Sequence, residues 1–119
     1  MPAPLRPADP EAVASALAAR AAGEVTSAEL RLLTKHFLAL LAAVAPGKSV
    51  EVRVPPYAAA QVVPGVRHTR GTPPAVVELD AETWIALALG DLTWTAAEEA
   101  GLVQASGERA DLAPYLPLR

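Results

Sequence analysis

From Leu30 to Val44 the apolar residues Leu30, Leu33, Phe37, Leu40, Leu41 and Val44 recur at spacings of three and four, with Arg31, Thr34 and Lys35 on the opposite side. That period belongs to a helix with one buried stripe. In front of it Thr26 and Glu29 stand three apart. A threonine hydroxyl there can accept from the backbone N–H three residues on, while the glutamate reaches back to the threonine N–H. Val25 and Leu30 are spaced to pack across this cap, and Pro46-Gly47 ends the run. The pattern predicts a helix over Ser27–Ala45, with Thr34 on its wet face.

The period then changes to two. Val50, Val52 and Val54 alternate with Ser49, Glu51 and Arg53, as in a strand with one wet face. Pro55-Pro56 breaks it. Tyr57–Val63 is apolar on both faces apart from Gln61 and reads as a second, more central strand. Residues 64–74 are dense in proline and glycine and form a loop. Ala75–Leu79 is a third strand. Asp80 caps a helix through Trp84, Ile85, Leu87 and Ala88 that Gly90 ends. Thr95 and Glu98 have capping-box spacing for one short helix ending at Gly101, and Leu102–Ser106 is a fourth strand. Upstream, Asp9, Pro10 and Glu11 open a helix with a weak face of Val13, Ala16 and Leu17, which Gly23 stops. Residues 1–8, with three prolines, read as a flexible arm, and 9–119 as one domain.

Composition narrows the function. Hydrophobic residues are 52% of the chain but aromatics only 4%, so a core of Ala, Val and Leu packs closely or encloses space that something else fills. Without cysteine there is no disulfide, thiolate nucleophile or Cys-ligated metal, which suits a reducing compartment. A net charge of −3 with scattered basic residues offers nucleic acid no basic stripe. The longest apolar run, residues 37–46, is about half the ~20 residues a membrane span needs. Met1–Asp9 lacks the apolar centre of a signal peptide. The expected location is cytoplasmic.

The order of helices, three strands, two helices, a last strand and an apolar tail resembles the sterol carrier protein fold. The matching residues are Asp80, the helix of residues 82–89, Gly90, the helix of residues 95–100, then Gly101, Val103 and Gly107. The phrases Val-Glu-Val-Arg-Val-Pro-Pro-Tyr (50–57), Arg-His-Thr-Arg-Gly-Thr-Pro-Pro (67–74) and Ser-Gly-Glu-Arg-Ala-Asp-Leu (106–112) are similar to those of actinobacterial sterol carrier family proteins. The resemblance implies an α+β domain: a single, mostly antiparallel sheet of four or five strands, covered on one face by helices. It also implies a non-catalytic carrier of a lipid or other apolar small molecule. Phe37, Leu41, Val62, Trp84 and Leu87 are the expected ligand-lining residues. A related domain closes the mycothiol-dependent isomerases, whose metal and catalytic histidines lie in a separate domain.

No catalytic, metal or cofactor site is expected. His36 and His68 have neither HxxxH nor HxH pairing, and His36 beside Lys35 reads as a solvated helix residue. Asp80 and Glu82 read as a helix cap and a first-turn acid rather than an acid–base pair. The loop holding Arg67, His68, Thr69, Arg70 and Thr72 supports a second reading, an anion site. It would make the chain an enzyme or accessory domain binding an anionic substrate or thiol cofactor. Structural pairing of those arginines with Glu51, Glu78 or Asp80 is the alternative. A third reading is an interaction module that forms a homodimer through a sheet edge or the tail. Under the anion-site reading, Arg70→Ala keeps its stability and phosphate no longer raises its melting temperature. A variant that loses stability without phosphate, beside a wild type that never responds to phosphate, contradicts that reading.

Overall fold

The computed structural model describes residues 5–65, 74–107 and 110–118. Helix α1 spans Pro10–Ala21 and α2 Ser27–Val44. Strands β1 (Val50–Val54), β2 (Ala58–Val62) and β3 (Ala75–Glu78) follow, then α3 (Ala81–Leu89), α4 (Trp94–Glu99), β4 (Gln104–Ser106) and a 3-10 turn, Ala113–Tyr115. The strands form one four-stranded sheet in the order β2-β1-β3-β4. β1 pairs antiparallel with β2, from Val50↔Val62 to Val54↔Ala58, and parallel with β3, from Val50↔Ala75 to Arg53↔Glu78. β3 pairs antiparallel with β4, from Val76↔Ser106 to Glu78↔Gln104. Two of the three pairings are antiparallel, and the one parallel pairing makes the sheet mixed.

The second strand was expected at the centre and lies at an edge, while β1 is central. Alanine explains the difference. Ala58, Ala59 and Ala60 make β2 read as apolar on both faces, yet Ala59 is exposed and only Val62 is fully buried. An alanine exposes too little surface to require burial.

The sheet has two unlike faces. Val50, Val52, Val54, Val62 and Val77 have no exposed surface and meet the helices. Glu51, Arg53, Gln61, Glu78 and Gln104 share the opposite face by register. There Arg53 Nε donates to Glu51 Oε1.

α2 is placed by both bonds of its capping box: Glu29 N donates to Thr26 Oγ1 at 3.2 Å and Thr26 N to Glu29 Oε1 at 2.9 Å. It packs against β2, α1 and α3. Thr34, expected on the wet face, is fully buried. A stripe count assumes one covered side, whereas this helix is covered by α3 as well as by the sheet. The link to β1 is tight. Val63 N donates to Ala45 O at 2.6 Å, and Val63 O accepts from Ser49 N and Ser49 Oγ at 3.2 and 2.7 Å. A Cβ on Gly47 would stand 2.2 Å from that same oxygen, so only glycine fits.

Asp80 Oδ1 caps α3 by accepting from Thr83 N at 2.8 Å, and Gly90 ends it at φ 86°. α4 starts earlier than the Thr95–Glu98 box implies. Thr93 is its cap, accepting from Ala96 N at 3.1 Å. Starting at Trp94 puts Trp94 and Ala97 on one buried side and leaves Thr95 and Glu98 exposed. α1 is tied to α3 through Arg20, whose Nε and Nη1 each lie 3.4 Å from a carboxylate, on Glu82 and Asp91.

His36 is not the freely solvated residue expected. It is half-buried, its ring stands edge-on to Phe37 at 5.0 Å, and Nδ1 accepts from Ala8 N at 2.9 Å. Accepting requires Nδ1 to carry no proton. Burial lowers the His36 pKa from 6.5. The unfolded chain therefore takes up the proton first as pH falls, so this contribution is complete above about 6.5 and is lost on going below it. The melting temperature is expected to fall between pH 7 and 5. His36→Gln, which keeps an acceptor and cannot titrate there, should flatten that fall. An unchanged slope in the variant would assign the loss to other groups.

Candidate functional site

The five expected ligand-lining residues come together. Phe37 and Leu41 from α2, Val62 from β2, and Trp84 and Leu87 from α3 belong to one buried cluster between sheet and helices, none more than 3% exposed. Trp84 Nε1 donates to Thr34 O at 3.2 Å, so its polar atom is committed within the fold. Of the five, Leu87 also borders open space.

That space is a cleft of about 250 Å³ lined by Leu87, Leu92, Thr93, Trp94, Leu116 and Pro117, among others. Three local features build it. The left-handed Gly90 turns the chain out of α3, and Asp91 N and Leu92 N both donate to Ala86 O, at 2.9 and 3.3 Å. Thr93 then starts α4 and sets Trp94 into the floor. The C-terminal segment returns as the far wall. Leu112 is fully buried, Tyr115 N donates to Leu112 O at 3.0 Å, and Leu118 N donates to Ala88 O at 2.8 Å. Pro117 occupies the space that a Cβ on Gly90 would approach to 3.3 Å.

The described lining is apolar or neutral throughout, with no charged side chain. Trp94 is 4% exposed, and its Nε1 is buried with no hydrogen-bond partner among the described residues. A buried donor left unbonded costs roughly 1–3 kcal/mol. Thr34 Oγ1 is the other such atom among the described residues, and no described cleft reaches it.

A second cleft of about 270 Å³ lies at the end of β3, between Pro55, Glu78, Leu79, Asp80, Leu102 and Gln104. Its carboxylates do structural work: Asp80 caps α3, and Glu78 adds to the negative field around the Arg53 guanidinium. Arg67, His68, Arg70 and Thr72, the anion-site candidates, lie outside the described residues. Of the carboxylates weighed as their partners, Glu51 is engaged by Arg53 and Asp80 by the α3 backbone.

Sequence reasoning missed Leu92, Leu116 and Pro117 as cleft walls. The apolar tail was visible, but nothing in its spacing indicates which helix it returns to. No described helix is long and apolar enough to cross a membrane.

The family described as bacterial SCP ortholog, the bacterial orthologue of the sterol carrier protein, matches residues 26–118, from the α2 cap to the end of the tail. The chain belongs to that family. No curated protein matches it.

Proposed function

We propose that this bacterial sterol carrier orthologue binds an apolar small molecule of lipid type and holds it without chemical change. The observation that carries this reading is the uncharged cleft at Leu87, Trp94 and Leu116, which opens beside the buried cluster of Phe37, Leu41, Val62 and Trp84. Its volume of about 250 Å³ is just under the ~300–1,000 Å³ usual for small-molecule sites, which suits a slender chain better than a bulky ring system. Moving apolar ligand surface out of water supplies roughly 25 cal/mol per Å². Phe37, Leu41, Val62 and Trp84 are then the inner layer that a longer ligand spreads apart. A cysteine-free composition fits work in the cytoplasm.

A fluorescent fatty-acyl probe is expected to bind with a Kd on the order of micromolar. Leu116 is half-buried, so Leu116→Trp can fill the cleft at little cost to the core. That variant should weaken the probe about tenfold and shift the melting temperature by only a few degrees. Unaltered binding in Leu116→Trp would move the site elsewhere, and a wild type that takes up no probe would defeat the reading.

A further inference from the structure

We infer that Arg20 is a positioning residue of the cleft: its guanidinium holds Asp91 and, through Asp91, the Gly90–Leu92 wall, and so sets how long a ligand stays. The inference rests on the proposed function and adds a residue that governs the same site from outside it.

Arg20 lies in the last turn of α1, ahead of the family-matched residues 26–118. A cation suits that turn, where the carbonyl ends of the helix collect. Its backbone is fixed there, because Ala22 N and Gly23 N donate to Ala18 O and Arg20 O at 3.0 and 3.1 Å. The side chain then spans α3. Nε stands 3.4 Å from Glu82, in the first turn of α3, and Nη1 stands 3.4 Å from Asp91, just past Gly90 at its other end. The remaining ion pair among the described residues, Arg53 with Glu51, lies within β1. Arg20 alone among them ties separate elements together.

Asp91 is where this tie meets the site. It sits between Gly90 and Leu92, and both of these line the cleft. Its backbone N–H and that of Leu92 share one acceptor, Ala86 O, at 2.9 and 3.3 Å. The Leu92 bond is at the long end of the useful range, so the turn alone holds that wall loosely. Glu82 and Asp91 share one guanidinium. Without it they are two like charges along one side of α3, and their repulsion pushes the wall outward. α1 has little else to fix its last turn, since only Ala16 is fully buried and Val13 and Leu17 are half-buried. The two carboxylates are exposed, which limits the effect to about fivefold.

The test follows the dissociation of a fluorescent fatty-acyl probe by stopped flow, and amide hydrogen exchange at Leu92 in ligand-free protein. Arg20→Ala should speed both about two- to fivefold. Arg20→Lys replaces the planar fork by a point charge that engages one carboxylate at a time, so its rates should fall between those of wild type and Arg20→Ala. Asp91→Asn should speed probe dissociation as Arg20→Ala does. The double variant should go no further, because the same contact is lost in each. Glu82→Gln removes the partner at the remote end of α3 and should leave probe dissociation at the wild-type rate. An Arg20→Ala protein that melts earlier, yet exchanges Leu92 and releases probe at wild-type rates, has lost a structural tie only. That result overturns the inference and leaves the carrier reading standing. Additive effects of Arg20→Ala and Asp91→Asn on dissociation overturn it as well. A wild type that takes up no probe defeats both.

Discussion

Trp84 has no exposed surface, and its indole N–H is bonded to the carbonyl of Thr34, 50 residues earlier in the chain. In a chain with only 4% aromatic residues this side chain is the largest fully buried one. It fixes α3 against α2 by packing and by a directional bond together, and much else follows. With α3 held there, Asp80 and Gly90 set the two ends of the helix, and Gly90 determines where the chain leaves for α4. Arg20 reaches carboxylates near both ends of α3, and Leu118 closes the C-terminal segment onto Ala88. The cleft is thus a consequence of where one helix is stapled.

The parts of the fold that were legible in sequence are those set by local chemistry. The caps at Asp9, Thr26 and Asp80, the glycine end at Gly90 and the alternation of β1 depend on neighbours within a few residues. What could not be read depends on distant contacts. Thr34 is polar and falls opposite the leucine stripe, but α3 covers it. Ala58–Ala60 imitate a buried strand because alanine is apolar at any depth. The α4 cap fell on Thr93 rather than Thr95 because burying Trp94 decides where the helix starts. The same division holds for the candidate site. Leu87 was among the residues expected to line the ligand, whereas Leu92 joins the cleft through the turn that Gly90 makes after α3, and Leu116 and Pro117 only through the return of the tail.

The two tryptophans show how one side chain can serve stability and recognition in different settings. At Trp84 the donor meets a backbone carbonyl and the group is spent on the fold. Trp94 lines an uncharged cleft, while its own donor is shut within the fold with no described acceptor, and the fold carries the cost of an unbonded polar atom.

The claim that this domain holds an apolar ligand is tested most directly by native mass spectrometry of the protein purified gently from its own cells. The account predicts a population heavier than the bare chain by one small apolar molecule, which organic extraction removes. A single species at the bare mass, unchanged after incubation with a lipid extract of the same cells, would contradict it.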